Sequence, residues 1–218
     1  MKKLAVAIDG PAGAGKSTVA QLAAQRLGYT YIDTGAMYRA VAWKALQQGK
    51  PVTDELIEEV VKDINVELEY KEGKTFVYVD ERDVTGEIRT PEVTGIVSQV
   101  AALGQVREKL VDLQRQMGEK GAVIMDGRDI ATNVLPKADV KIFLTASIEE
   151  RAARRYKEMK SKGYDVDIDQ LKKEIAARDK ADSEREISPL VQADDAELLD
   201  TSDMSIDEVV EEILKRCR

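Results

Sequence analysis

The sequence contains no histidine and a single cysteine, Cys217. Without imidazole, Ser-His-Asp and Cys-His catalysis is excluded, and so are metal sites with histidine ligands. One cysteine excludes an internal disulfide and a metal cluster held by thiolates. Its position beside the last residue favours an incidental thiol over a nucleophile. Any reaction that this chain catalyses must therefore run without imidazole.

Positive charge is also scarce. The 33 lysines and arginines are outnumbered by 41 aspartates and glutamates, which gives a formal net charge of −8 at pH 7. A chain with this balance is not expected to bind polymeric nucleic acid or an anionic membrane surface. No apolar run is long enough to span a bilayer, so a cytoplasmic protein is expected. An anionic ligand would have to be held by individually placed basic groups.

What the chain does contain is a glycine-rich stretch near its beginning. The spacing G-x-x-x-x-G-K-[ST] of a phosphate-binding loop is matched from Gly10 to Ser17. Glycines let several backbone N–H groups converge on phosphate oxygens, the lysine adds positive charge, and the serine hydroxyl can ligate Mg²⁺. The expected phosphate-binding residues are consecutive: Gly10, Pro11, Ala12, Gly13, Ala14, Gly15, Lys16, Ser17 and Thr18.

The flanking residues favour a phosphate-binding loop over a flexible glycine turn with an incidental lysine. Residues 4–8 form a short apolar run typical of a buried strand, and residues 19–27 have apolar positions at helical spacing. In the order strand, loop and helix, the positive end of the helix dipole points at the bound anion. The sequence therefore predicts a phosphate site where the first helix begins.

Further apolar runs alternate with helical patterns, which predicts a parallel sheet with helices on both faces. A β-hairpin pattern at residues 64–84 interrupts this order, and one helical pattern continues from 91 to 117. Ser147 with Glu150, and Ser205 with Glu208, match capping boxes. The expected fold is an α/β three-layer sandwich with a five-stranded parallel sheet and a small antiparallel insert. Strands are expected at residues 4–8, 29–32, 122–125, 140–144 and 197–200.

Charged residues cluster after the expected strands, at the edge where parallel sheets bind ligands. An apolar run ending in Asp126 resembles the Walker-B arrangement, in which a carboxylate holds Mg²⁺ directly or through water. A turn cap is the alternative role for Asp126, and Asp33 is its competitor for the metal. Arg39 lies near the start of a helix, where a nearby anion would stabilise it. Arg128 is a further candidate, because its loop faces the phosphate loop.

Arg178, Asp182 and Arg185 recur near helical spacing and would lie around one face or end of a helix. Spacing alone favours a solvated surface with intrahelical ion pairs over a binding role.

Several motifs together resemble, in the same order, those of the bacterial cytidylate kinases. They are the loop at residues 10–18, DTGAMYR at 33–39, GEIRT at 86–90, SQVA at 98–101, DGRD at 126–129 and RDKADSER at 178–185. The likeness runs nearly the whole length, including the hairpin insert. It implies transfer of the γ-phosphate of ATP to CMP or dCMP with Mg²⁺, giving ADP and CDP or dCDP, in pyrimidine nucleotide metabolism.

The resemblance also implies roles for individual side chains. Ser98, Arg107 and Asp129 match residues that read cytosine, and a carboxylate and an arginine suit its donor and acceptors. Thr34 and Asp182 match positions near the sugar. The positions around the monophosphate and the transferring group are Arg39, Arg128, Arg178 and Arg185. The catalytic residues expected on this basis are Lys16, Arg128, Arg178 and Arg185.

The same resemblance suggests a division of the chain. A P-loop kinase core is expected at residues 1–62 and 105–218, with an inserted monophosphate-binding region at 63–104. Residues 151–167 match a mobile helical lid, whose closure would exclude water and prevent ATP hydrolysis. Which lid arginine reaches the phosphates stays open.

Two other functions are compatible with the loop. A P-loop kinase for UMP or a sugar acid would lack dedicated cytosine readers. A GTP-dependent switch would need an Asn-Lys-x-Asp segment, but Asn65 and Asn133 are each followed by valine. No pattern for oligomerisation is present, so a monomer is expected.

Overall fold

The computed structural model of the chain describes residues 3–218. Met1 and Lys2, the first residues of the expected core, lie outside the described residues. The strands are β1 (Ala5–Asp9), β2 (Thr30–Asp33), β3 (Val66–Lys71), β4 (Lys74–Val79), β5 (Arg82–Asp83), β6 (Val123–Gly127), β7 (Val140–Thr145) and β8 (Glu197–Asp200). The α-helices are α1 (Lys16–Leu27), α2 (Thr34–Leu46), α3 (Asp54–Asp63), α4 (Pro91–Ala102), α5 (Gly104–Gly118), α6 (Ile148–Ser161), α7 (Ile168–Glu184) and α8 (Ile206–Arg216). A 3₁₀ helix spans Glu87–Arg89 and a short π-helix spans Ile130–Val134.

The predicted five-stranded parallel sheet is confirmed, with strand order β2-β6-β1-β7-β8. The central strand β1 is buried on both faces, as a sheet covered by helices requires. Val6 and Ile8 pack with α1 and α8, while Ala7 packs on the opposite face with α5 and the π-helix. Two helical layers therefore enclose the sheet, and its carboxyl edge holds the phosphate loop.

The predicted hairpin is also confirmed, as part of a three-stranded antiparallel sheet, β3-β4-β5. Val66, Val77 and Val79 share one apolar cluster with residues of α2, α3, α4 and α5. On the other side, the Gln21 amide of α1 donates to the carbonyl oxygen of Gly73 in the β3–β4 turn. The small sheet therefore contacts both the neighbouring helices and the helix of the phosphate loop.

The prediction of one helical pattern from 91 to 117 is wrong at Leu103. This residue has extended backbone angles, φ −80° and ψ 127°, so α4 ends before it and α5 begins after it. Both helices pack on the same apolar cluster, which explains why the spacing of apolar residues continues across the break. Ser98 and Arg107 consequently lie on different helices.

Only one of the two predicted capping boxes is complete. At α8, Ser205 and Glu208 cap each other as expected. At α6, Ser147 accepts from the Glu150 backbone N–H at 3.2 Å, but the Glu150 carboxylate binds Arg154 instead of returning to the cap. A stronger charged partner one turn along the helix outcompetes the box.

Within residues 3–218, no helix combines the length and apolar character needed to cross a bilayer.

Candidate active site

The loop between β1 and α1 has the backbone of an anion-binding loop. Gly10, Gly13 and Gly15 have φ angles of 151°, 74° and 87°, a region that favours glycine. A Cβ on Gly10 would lie 1.9 Å from the carbonyl oxygen of Leu144 in β7. Glycine is therefore required there by the close approach of β7 as well as by its backbone angles. The predicted order of strand, glycine loop and helix is confirmed.

Lys16 opens α1 and is buried within the loop that precedes it. Its ammonium donates to the carbonyl oxygen of Pro11 at 2.8 Å. Burial lowers the pKa of Lys16, and the neighbouring Arg128 cation lowers it further. A phosphate bound at the loop would oppose both effects and hold the lysine charged.

The loop forms one wall of a cleft of about 330 Å³. Every residue predicted to bind the acceptor lines it: Thr34, Arg39, Ser98, Arg107, Arg128, Asp129, Arg178, Asp182 and Arg185. Of the predicted loop, Ala12, Gly13, Gly15, Lys16, Ser17 and Thr18 line the cleft, whereas Gly10, Pro11 and Ala14 do not. These residues come from the loop before α1, from α1, α2, α4, α5 and α7, from the segment after β6 and from the end of α7, so the fold gathers residues that are far apart in sequence.

Positive charge is concentrated in this cleft. Burial lowers the pKa of Arg39 to about 10, and the nearby Arg89 adds to the effect. Burial lowers the pKa of Arg178 to about 9, with Arg128 as the next cause. Within residues 3–218, the buried Nε of Arg178 has no hydrogen-bond partner. In a chain of net charge −8, such a cation cluster would be stabilised by a polyanionic ligand.

A buried ion pair lines the cleft. Arg107 of α5 binds the carboxylate of Asp129 through its Nη2, and its guanidinium lies 5.5 Å from the centre of the Tyr38 ring. The Nη2 of Arg185 is 3.8 Å from Asp129 Oδ1. In the described chain, Arg107 Nε and Arg185 Nη2 are buried without hydrogen-bond partners. The Arg107–Asp129 pair and the neighbouring Arg185 can therefore accept hydrogen bonds from, and donate them to, a planar polar group.

Two carboxylates lie beside the phosphate loop, and their partners differ. Asp126 receives hydrogen bonds from the Ser17 hydroxyl at 3.1 Å and the Tyr31 hydroxyl at 2.7 Å. Asp33 caps α2 with one oxygen and pairs with Arg89 at 2.6 Å through the other. Burial raises the pKa of Asp126 to about 6, and Lys16 opposes this. A bound cation would hold Asp126 ionised.

The residues predicted near the sugar are both buried. Thr34 donates its hydroxyl to the carbonyl oxygen of Asp126 at 2.7 Å, which leaves its oxygen free to accept. Asp182 of α7 is 4% exposed and binds Arg128 Nε at 2.9 Å. A solvated surface with intrahelical pairs is therefore the wrong interpretation for Asp182, because its partner lies on another element.

Comparison with known proteins decides the family. The family model for cytidylate kinase matches residues 6–218. Curated cytidylate kinases of Bacillus thuringiensis (strain Al Hakam) and Bacillus cereus (strain AH187) are each 54% identical over 214 residues, covering 98% of this chain and 95% of the relative. The chain belongs to the cytidylate kinase family.

Solved structures with much lower identity share the fold. An uncharacterized protein from Eubacterium ventriosum ATCC 27560 aligns with a TM-score of 0.55 at 14% identity, covering 98% of this chain and 97% of its own. A gluconokinase from Sinorhizobium meliloti 1021 aligns with a TM-score of 0.50 at 14% identity, covering 98% and 91%. The expected α/β sandwich with a five-stranded parallel sheet is thus shared with these structures.

In this member of the cytidylate kinase family, three arginines of α6 have different surroundings. Arg151 donates to the carbonyl oxygen of Ala12 at 3.0 Å, and Arg154 donates to that of Ala14 at 3.3 Å. Both therefore hold the phosphate loop in place. Arg155 instead lines the cleft, where its charge contributes to lowering the pKa of Arg39 and of other cleft cations.

Asp9 has a role that the sequence patterns do not reveal, beyond ending the first strand. Its carboxylate is 1% exposed and accepts from the backbone N–H groups of Ile130 and Ala131, both at 2.8 Å. Burial raises the pKa of Asp9 to about 6. It holds the segment that follows Asp129. The available signal was an aspartate at the end of a central strand, where a buried carboxylate needs hydrogen-bond donors.

Proposed function

We propose that this protein transfers the γ-phosphate of ATP to CMP or dCMP, giving ADP and CDP or dCDP. The observation that carries the proposal is the arrangement of the cleft. The phosphate-binding loop, several buried arginines and the buried Arg107–Asp129 pair all line one cleft. A nucleoside monophosphate placed there would direct its base to the pair and its phosphate to the loop.

The Arg107–Asp129 pair suits cytosine. Cytosine presents an N4 donor beside the acceptors N3 and O2. The Asp129 carboxylate can accept from N4, and the unpartnered Arg107 Nε can donate to a ring acceptor. Uracil would place an oxygen where cytosine has its amino group. An acceptor facing a buried carboxylate is unfavourable, so we expect discrimination against UMP.

The chemistry needs positioning and charge neutralisation more than covalent participation, which suits a chain without histidine. Lys16 neutralises the β- and γ-phosphates. Arg128, Arg178 and Arg185 bind the acceptor phosphate and the transferring group, because a guanidinium can hold two phosphate oxygens at once. Arg39 of α2 adds a further positive charge to this group. Of the lid arginines, we assign contact with the phosphates to Arg155, which lines the cleft while Arg151 and Arg154 bind the loop.

We assign Mg²⁺ coordination to Ser17 and Asp126. Their side chains already lie together, and the donors on Asp126 are neutral hydroxyls, whereas Asp33 is paired with the Arg89 cation. Across residues 3–218, no group of three or more acidic, cysteine or histidine side chains could hold a metal. That fits Mg²⁺ delivered with ATP, because this ion is usually held by one or two carboxylates and substrate phosphates. When bound, it neutralises charge on the transferring group.

The domain division stays a prediction, with a core at 1–62 and 105–218, an insert at 63–104 and a lid at about 151–167. We further propose that the protein acts as a monomer in the cytoplasm, where its nucleotide substrates are made and used. Lid closure over the cleft would exclude water from the reaction.

The function is tested by measuring ADP release from ATP and Mg²⁺ with a panel of acceptors: CMP, dCMP, UMP, AMP, GMP and shikimate. We expect turnover dominated by CMP and dCMP and negligible ATP hydrolysis without an acceptor. Dominant turnover of another acceptor would retain a P-loop kinase but remove the roles of Ser98, Arg107 and Asp129 in reading the base. Slow hydrolysis that no acceptor stimulates would instead favour a nucleotide-dependent switch.

Asp182→Asn is expected to lower the ratio of kcat/KM for CMP to that for dCMP by about fivefold, since a charge-assisted hydrogen bond to the 2′-hydroxyl becomes a weaker neutral one. The ratio cancels losses that both acceptors share. Asp179→Asn is the matched control, because Asp179 lies on the same helix and pairs with Arg151. An unchanged ratio in Asp182→Asn would confine Asp182 to a contact common to both acceptors.

A further inference from the structure

The Asp126 carboxylate has a fixed orientation because each oxygen has its own donor. Tyr31 donates to Oδ1 at 2.7 Å, and Ser17 donates to Oδ2 at 3.1 Å. Without the tyrosine, the carboxylate could rotate about its bond to Cβ, since only the serine hydroxyl would hold it. The Tyr31 hydroxyl therefore holds Oδ1, while the Ser17 hydroxyl holds Oδ2.

Tyr31 itself is held rigidly. It lies on β2, which pairs in parallel with β6, so its backbone is fixed relative to the strand that carries Asp126. Its side chain is 3% exposed and belongs to the apolar cluster between the sheet and α1. An aromatic ring buried in this cluster has little freedom to turn away from the carboxylate.

The small antiparallel sheet also contacts the Tyr31 ring. Tyr70 of β3 packs edge-on against Tyr31, with 6.1 Å between ring centroids and 80° between planes. Within the described part of the chain, the buried hydroxyl of Tyr70 has no hydrogen-bond partner. The Gln21 amide anchors the same hairpin to α1 through Gly73. The two tyrosines thus form one pair in which only one hydroxyl binds the site.

We infer that Tyr31 is a positioning residue that fixes the Asp126 carboxylate for Mg²⁺ bound with ATP. This rests on the proposed role of Ser17 and Asp126 as metal ligands. Residues that orient a metal ligand commonly affect metal affinity or activity by about 10- to 100-fold.

The test compares Tyr31→Phe with Tyr70→Phe. Each variant removes one hydroxyl from the same ring pair and keeps both rings, so packing is matched. ATP affinity is measured by calorimetry in EDTA and in saturating Mg²⁺, with no acceptor present. For Tyr31→Phe we expect the affinity for ATP in EDTA to equal that of the wild-type protein. The factor by which Mg²⁺ increases the affinity for ATP should be about tenfold smaller than in the wild-type protein. The Mg²⁺ concentration that half-saturates turnover should rise in parallel, while the KM for CMP stays unchanged.

Tyr70→Phe is expected to match the wild-type protein in all three measurements. If Tyr31→Phe weakens ATP binding equally in EDTA and in Mg²⁺, Tyr31 is only structural and the inference fails. It also fails if Tyr70→Phe shows the same loss, or if Mg²⁺ does not alter ATP affinity in the wild-type protein. The binding assay uses no acceptor, so a failure of CMP phosphorylation in the acceptor panel is separate from a failure here.

Discussion

Lys16→Ala is expected to lower kcat for CMP phosphorylation by about 10²- to 10³-fold, which corresponds to roughly 3–4 kcal/mol of transition-state stabilisation. The ammonium is buried in the phosphate loop and is bound to the carbonyl oxygen of Pro11 at 2.8 Å. It opens the helix whose positive end faces the same anion. Alanine keeps the helix but removes the loop's own cation, so charge developing on the transferring phosphate loses its nearest partner.

The measurement is steady-state ADP release at saturating ATP and CMP, with the folded state checked by circular dichroism. Lys44→Ala is the control, since Lys44 pairs with Asp80 at the surface of α2 at 2.9 Å. It removes the same side chain and should leave turnover unchanged. Turnover of Lys16→Ala at the wild-type rate would contradict the assignment of the phosphate loop.

Asp129→Ala is expected to have two large effects. The first is on stability, because Arg107 would become a buried cation without its main partner, and breaking such a pair costs about 3–5 kcal/mol. Both side chains are almost fully buried, so solvent gives little relief. The second is on substrate use, because the proposed acceptor of the cytosine amino group is removed. The KM for CMP should rise by at least about tenfold while ATP affinity changes little.

The double variant Asp129→Ala/Arg107→Ala separates these effects. Removing both charges relieves the cost of an unpaired cation, so denaturant unfolding should show part of the lost stability restored. CMP use should stay impaired, because both base contacts are then missing. Asp112→Ala, which removes a surface carboxylate paired with Arg115 at 3.7 Å, should leave the midpoint of unfolding unchanged. An equal loss for every nucleotide acceptor in Asp129→Ala would place Asp129 in the scaffold.

The sequence predicts the sheet well because its strands have local signals. Each strand of the large sheet contains at least two adjacent apolar residues before a polar residue or turn, so its position along the chain is visible locally, whereas the order of the strands in the sheet depends on distant contacts. The phosphate loop is also visible locally, because its glycines and lysine are contiguous. Leu103 is the opposite case. Its neighbours on both sides keep a helical spacing because both helices face one core, so the local pattern carries no sign of the break.

Side-chain orientation in the site depends on long-range packing, and the sequence does not resolve it. Arg151, Arg154 and Arg155 are alike in type and lie within little more than one turn of α6. Which of them faces the cleft depends on the rotation of that helix against a loop about 140 residues earlier. The resemblance to a family supplies candidate residues for the acceptor site, and the fold gathers all of them in one cleft. The resemblance does not identify the hydrogen-bond donors of Asp9, which lie more than 120 residues away in sequence.

The hydrogen bonds of Asp9 have a consequence for how the two substrates are kept in register. This carboxylate joins the last residue before the phosphate loop to the segment after Asp129, so the parts of the cleft that we propose bind the nucleotide donor and the base are linked through the core. The distance between the two phosphates that react would then be set by the sheet edge itself. Movements of α4, α6 and α7 would then close the walls of the cleft without changing this distance, because the core has already fixed it.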